Sequence, residues 1–209
     1  MRVSNDRYSR DLRSIDLARR MLKFEARTQT ICAWTTLSAE RVRNLSRSHG
    51  SEGPGCKAMR HRGPSPSKLA KLMEVKAFRR EAAAIAGLCG ALDVIPAQAC
   101  SNARVTLPSL SRGERLCYAL ELFHEIIPHI RITMEQLVLL VLTLAERDTW
   151  ALEHCTRCHA SILIDRLTLS PGLCGFCEED LGKDASQGSA LSPSVHDAQE
   201  PAYVQQSLF

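Results

Sequence analysis

The 209-residue sequence predicts a mainly α-helical fold: a helical domain with a helix-turn-helix-like N-terminal part, then a C-terminal four-cysteine zinc module. Three observations carry this expectation. Apolar residues recur at helical spacing through much of the chain. Cap and breaker residues bracket those stretches. Cys155, Cys158, Cys174 and Cys177 form a C-x2-C-x15-C-x2-C array, within the spacing of structural metal sites.

Taken in order, about ten residues form a frayed arm, and Ile15, Ala18 and Leu22 then mark a helix from Asp11 to about Ala33. Thr35, Thr36 and Leu37 read as a turn, and Ser38 as the N-cap of a helix from Ala39 to about Ser48, ended by Gly50. Residues 50–67, GSEGPGCKAMRHRGPSPS, are too rich in Gly, Pro and Ser for regular structure. A helix from Pro66 or Ser67 to about Val94 follows, with Gly87 and Gly90 as points of interruption. Leu116, Leu120, Phe123 and Ile127 mark an amphipathic helix that stops at Pro128.

Thr133 and Gln136 match a capping box, in which each side chain serves the other residue's free amide. The helix they open, to about Trp150, is apolar nearly all round, which suits the centre of the core or a subunit interface. Between the two cysteine pairs, ILIDRLTL suits a short strand or hairpin. From about Gly182 the tail has no periodicity and reads as disordered. The domain reading is therefore 1–150 helical, 151–181 zinc-binding and 182–209 tail.

Two Cys-x-x-Cys turns deliver four thiolates, and tetrahedral zinc takes four such ligands with no position left open. The site is read as one structural zinc per chain. Pro171, Gly172 and Gly175 supply turn residues around the second pair. His159 and Glu178 stand where such turns often carry glycine. His154 or His159 replacing one cysteine, an iron–sulfur site and a single-iron tetrathiolate all satisfy the same ligand count. A thioredoxin-like pair needs a β-α-β context that the sequence does not offer.

Nine cysteines with no apolar signal stretch at the N-terminus, which reads MRVSNDRYSRDLRS, suit a reducing cytoplasm. The longest apolar run, Leu137 to Ala145, falls well short of the ~20 residues of a membrane span. Net charge is +4, but residues 41–80 hold 11 Lys and Arg against 2 Asp and Glu. Such asymmetry points to a polyanionic partner, with a solvated basic loop as the alternative.

Residues 28–47, TQTICAWTTLSAERVRNLSR, have the shape of a helix-turn-helix. Ile31 and Cys32 close the first helix on the second, Leu37 plugs the turn, and Val42 and Leu45 face the core. Ser38, Glu40, Arg41, Arg43, Asn44 and Arg47 are left exposed. Arg and Asn suit the acceptor-rich base edges of a major groove. Arg41, Arg43, Asn44 and Arg47 are therefore the expected DNA contacts, helped by Lys57, Arg60, Arg62, Lys68 and Lys71. Two ordinary bundle helices with a wet basic face fit the same pattern.

Enzymatic readings find no support. Gly50, Gly53, Gly55 and Gly63 lack the spacing of a phosphate loop, and no nucleophile motif occurs. His124 and His129 read as capping or core residues, and Glu121 and Glu125 as a solvated face.

The stretches IDLARRMLKFEARTQTICAWTTLSAERVRNL, RGPSPSK, the apolar helix at 137–150 and CTRC…CGFC resemble the FlhC family of flagellar master-regulator subunits. The stretch from His49 to His61 reads as an insertion relative to that family, so the resemblance is to a diverged member. It implies a transcriptional activator, with zinc on the four cysteines. It further implies a hetero-hexamer with a small helical FlhD-like subunit that binds double-stranded promoter DNA and works with RNA polymerase. A paralogue that occupies the partner without activating, or a zinc interaction protein that does not bind DNA, is the alternative.

Overall fold

In a computed structural model of the chain, the described residues are 4–49, 66–127, 129–168 and 172–187. They are mainly helical, with one two-stranded sheet. The chain divides into two compact units, Met1–Cys174 and Gly175–Phe209. Among the described residues no helix is long and apolar enough to cross a membrane.

Helix α1 (Ser4–Lys23) begins inside the expected arm, and it buries Ser14, Leu17, Ala18 and Met21, with Ile15 and Leu22 only half-buried. The expected helix to Ala33 is two helices. Glu25 adopts a left-handed conformation (φ 56°), and the N–H groups of Glu25 and Ala26 bond back to the carbonyls of Leu22 and Met21, each at 3.0 Å. That is a Schellman stop with glutamate where glycine is usual. Helix α2 (Thr28–Thr35) follows and buries Ile31 and Trp34. Thr36 (φ 60°) ends it, its N–H bonding the Cys32 carbonyl. Helix α3 (Ala39–His49) matches the expected span and packs on both α1 and α2.

After the 50–65 segment, the helix expected from Pro66 or Ser67 to about Val94 is split, well before the glycines named as its points of interruption. Helix α4 (Leu69–Met73) meets α5 (Lys76–Ala91) at an extended Val75, and Arg79 Nε covers the freed Met73 carbonyl at 3.2 Å. Gly87 and Gly90 do not interrupt α5. They let the sheet approach it: a Cβ on Gly87 would lie 2.6 Å from Ser161 Oγ, and one on Gly90 would meet Leu152 at 3.5 Å. Helix α5 stops at Asp93 (φ 53°), again a Schellman turn without glycine, with Val94 N–H on the Cys89 carbonyl at 2.8 Å.

A short helix α6 (Ala103–Thr106) precedes α7 (Leu110–Ile126), which Ser109 caps through the Arg112 N–H. Helices α1 and α7 run parallel. Arg13 clasps Glu114 through both carboxylate oxygens (2.9 and 2.6 Å), and one heptad later Arg20 clasps Glu121 (2.9 and 2.8 Å). Glu121 is therefore an ion-pair partner, not part of a solvated face. His124 is exposed and stacks on Phe24 with ring centroids 5.7 Å apart. At Gly113 the α7 backbone comes so close that a Cβ would lie 2.6 Å from Leu17 Cδ2 and 3.4 Å from Trp34.

Helix α8 (Met134–Glu146) opens with the expected capping box, Thr133 serving Gln136 and Gln136 serving Thr133. It ends at Arg147 (φ 57°), short of Trp150. Leu137 through Val141, Leu144 and Ala145 are buried, with α4, α5, α6 and the first strand packed around them. The apolar helix is thus consumed by this chain's own core and is not left as a subunit interface.

Strand β1 (Trp150–His154) pairs antiparallel with β2 (Ser161–Asp165), His154 opposite Ser161. The ILID stretch therefore pairs with residues before the first cysteine pair rather than folding on itself. In the second unit, helix α9 (Gly175–Gln187) carries the chain past Gly182, where the tail was expected to begin; residues 188–209 lie outside the described ones.

Thr36 offers a direct test of these left-handed stops, because it is exposed and β-branched. Left-handed backbone costs an L residue about 1–2 kcal/mol, against roughly 0.5–1 kcal/mol for the extra chain entropy of glycine. Thr36→Gly should therefore stabilise the fold by about 0.5–1 kcal/mol, raising Tm by ~1–4 °C, while Thr36→Ala should bring no such gain. Thermal unfolding followed by circular dichroism measures both.

Candidate metal centre and helix-turn-helix face

The hairpin builds the first half of the centre. Where β1 ends, Cys155 N–H bonds the Ala160 carbonyl (2.8 Å) and His159 N–H bonds the Cys155 carbonyl (2.9 Å), closing the Cys155–Cys158 turn. His159 sits in the left-handed region (φ 59°), which explains the glycine preference of such turns. Thr156 N–H then bonds the Gly172 carbonyl at 3.0 Å, holding the first turn against the approach to Cys174. Gly172 is itself left-handed (φ 65°). Cys177 stands in the first turn of α9.

The four sulfur atoms lie within 4.8 Å of one another. Cys158 Sγ is 3.6 Å from Cys174 Sγ, and none of the four cysteines is in a disulfide. A metal–sulfur bond of about 2.3 Å puts the sulfurs of a regular tetrahedron about 3.8 Å apart. The cluster approaches that dimension, and its four cysteines lie close enough to bind a metal ion. Cys155, Cys174 and Cys177 are buried and Cys158 is exposed.

Electrostatics favour the ligand form. The Cys155 thiol is brought down to about 6, chiefly by the Cys158 backbone N–H, with those of Cys174 and Arg157 adding to it and burial opposing. Cys174 N–H lies 3.3 Å from Cys155 Sγ. A thiol that ionises below neutrality binds metal without competing against its proton. Neither His154 nor His159 joins the cluster: both are exposed, and His154 Nδ1 lies 3.2 Å from the His159 carbonyl oxygen.

The second candidate surface is the outer face of α3. Leu37 plugs the turn as expected, Val42 is fully buried and Leu45 is half-buried. Thr35 Oγ1 accepts the Leu37 N–H at 3.3 Å, and Ser38 Oγ accepts the Arg41 N–H at 3.3 Å, capping α3. Ser38, Glu40, Arg41, Arg43, Asn44 and Arg47 are all exposed. Arg41 reaches Asp11 of α1 at 3.6 Å.

The other expected contacts are placed elsewhere. Lys68 and Lys71 are exposed on and beside α4, which packs on α5 and α8, whereas α3 packs on α1 and α2. Lys57, Arg60 and Arg62 lie outside the described residues.

Sequence reasoning missed the group that seats α2. Glu135, buried in the first turn of α8, accepts the Arg27 N–H at 2.8 Å and the Thr30 hydroxyl at 3.0 Å. Helix α2 has no side-chain cap of its own, so Glu135 supplies it across the core. The available signal was a carboxylate in the first turn of a nearly all-apolar helix.

Losing one thiolate should be felt through the whole hairpin. Metal binding is worth about 10–16 kcal/mol in small four-ligand sites, comparable to a domain's entire stability. Purified protein should carry one metal ion per chain by elemental analysis. Cys174→Ala should abolish that binding and either unfold the chain or deplete its soluble fraction.

Set against known proteins, the chain matches no family model, and no curated protein matches it.

Proposed function

We propose that this chain is a zinc-containing, DNA-binding transcriptional activator subunit, a binding protein rather than an enzyme, at work in a reducing cytoplasm. The observation that carries the reading is the face of α3. Arg43, Asn44 and Arg47 are exposed on a helix whose opposite side, Val42 and Ser46, is buried. Guanidinium groups pair bidentately with guanine and carboxamides with adenine. Arg41 joins them by exchanging Asp11 for a phosphate, since an exposed ion pair is worth no more than about 1 kcal/mol. Lys57, Arg60, Arg62, Lys68 and Lys71 add contacts to the backbone, which position without specifying.

Zinc is the ion the four thiolates suit. Soft sulfur ligands at tetrahedral spacing select it, and a closed sphere makes the role structural. It holds the Cys155 and Cys174 turns together and thereby fixes the end of the hairpin.

The chain acts within a hetero-oligomer. One reading helix makes few base contacts, each good bidentate pair contributing about 1–3 kcal/mol of discrimination. Specific regulators exceed their own non-specific binding by ~10³–10⁷, so repeated units are needed. The resemblance of the α1–α3 sequence and the cysteine array to the FlhC family supplies the kind of assembly. It is a hetero-hexamer with a small FlhD-like subunit at flagellar-type promoters, acting on RNA polymerase.

Binding to duplex DNA should weaken steeply with salt, as phosphate neutralisation releases counterions. The quadruple variant Arg41→Ala, Arg43→Ala, Asn44→Ala, Arg47→Ala should lose binding to every sequence. Asn44→Ala alone should change sequence preference more than affinity. Filter-binding titrations read all three, and salt-independent binding or an unaffected quadruple variant defeats the assignment to α3.

The assembly is tested separately, by sedimentation of the chain alone and gel shifts with and without a FlhD-like subunit. The expected outcome is specific binding only in the mixture. A lone monomer that footprints a promoter unaided overturns the hetero-oligomer.

A further inference from the structure

We propose that Cys158 is a site of oxidative modification, at which a hydroperoxide joins Cys158 to Cys174 as a disulfide and so opens the metal centre. The inference deepens the zinc reading and rests on it for the release of metal, while the disulfide itself rests on the sulfur geometry alone. Three observations support it.

Access comes first. Cys158 is the one exposed member of the four, and Cys155, Cys174 and Cys177 are buried. A small oxidant in solution therefore meets Cys158 before the others.

Proximity comes second. Cys158 Sγ lies 3.6 Å from Cys174 Sγ, and a disulfide is about 2.05 Å long, so the sulfurs need approach by only about 1.5 Å. The Cys155 sulfur is engaged by the Cys174 N–H at 3.3 Å and sits behind the surface.

The third is a hinge that does not depend on metal. Thr156 N–H to the Gly172 carbonyl, at 3.0 Å, holds the two turns side by side through backbone. Cys174 therefore stays beside Cys158 as the centre opens.

The chemistry balances with hydrogen peroxide as oxidant. The Cys158 thiolate attacks one peroxide oxygen, the O–O bond breaks, and Cys158 becomes a sulfenic acid as hydroxide leaves. The Cys174 thiolate then attacks that sulfur, forming the S–S bond and expelling a second hydroxide. Two protons from solvent turn both hydroxides into water. The sulfurs lose two electrons and the peroxide gains them. The two remaining thiolates, Cys155 and Cys177, are half of a tetrahedral sphere and hold the ion far more weakly. The other buried cysteines stay out of this exchange: burial pushes the Cys89 and Cys117 thiols up to about 12, leaving almost no thiolate at neutral pH.

The experiment uses the full-length wild-type chain. Its metal content is measured first. The protein is then treated with hydrogen peroxide in the presence of a chromogenic zinc chelator, alkylated, digested and mapped by mass spectrometry. The expected result is a peptide linking Cys158 to Cys174, two hydrogens lighter than its reduced parts, together with stoichiometric zinc release. Dithiothreitol should reverse both. A disulfide between any other pair, Cys158 halted as a sulfinic acid, or full alkylation of all four cysteines overturns the proposal. Protein that carries no zinc at the outset refutes the zinc reading, and the peptide map still decides the disulfide. Because the map is read on wild-type protein, a Cys158→Ser chain that fails to fold does not weaken the test.

Discussion

Helix α8 has almost no side that tolerates water, and the rest of the first unit is arranged around covering it. Each buried Leu or Val is worth about 1.5–3 kcal/mol relative to exposure. The run from Leu137 to Leu144 therefore outweighs any single polar contact in the molecule. Helices α4, α5 and α6 and strand β1 pack on it. Its one buried charge, Glu135, faces the start of α2 and accepts two hydrogen bonds there. The α2–α3 pair and the cysteine-bearing hairpin are thus both referenced to one helix. The first is tied to its N-terminal turn, and the second leaves its C-terminal end.

The hairpin could not stand without that support. A lone two-stranded sheet is marginal in water, and here it leans on α5 through the space that Gly87 leaves for Ser161. At its base, Arg147 turns the chain out of α8. The Arg147 carbonyl accepts the Arg166 guanidinium at 2.8 Å, and Arg166 N–H bonds the Thr149 carbonyl at 2.8 Å. At its tip, the Cys155–Cys158 turn carries half of the metal cluster. The strands are thus pinned at both ends, by packing and hydrogen bonds at one and by the cluster at the other. Ser161, directly opposite His154, is the strand residue that fills the space left by Gly87.

The parallel pair α1 and α7 is organised differently, by matched charges one heptad apart. Arg13 holds the Glu114 carboxyl below its ordinary range through their paired hydrogen bonds. That contribution is present above the ordinary carboxylate pKa and is lost as pH falls through the depressed value of the folded state. Both ends of this pair reach solvent, so its worth is small, of the order of 1 kcal/mol or less. Two such pairs do more for register than for stability. A shift of one helix along the other would break both bidentate contacts at once, while the apolar seam at Leu17 and Gly113 sets how closely the helices approach.

Local features were legible in the sequence, and features made by tertiary contact were not. The Thr133 capping box, the α3 span and the four-cysteine array are written in residues close together, so spacing alone found them. The stops after α1 and α8 escaped because Glu25 and Arg147 take the left-handed position where glycine is the expected signal. The packing of the surrounding helices over-determines those positions, and a non-glycine residue is carried there at a cost. Gly87 was misread for the complementary reason: a helix glycine looks like a break until the strand that needs its missing Cβ is in place. The same limit applies at the metal centre. Spacing identifies four equivalent thiols, but the path of the hairpin leaves Cys158 in solvent and the other three inside. Ligand identity belongs to the sequence, whereas the difference in exposure between the ligands, and with it their reactivity, belongs to the fold.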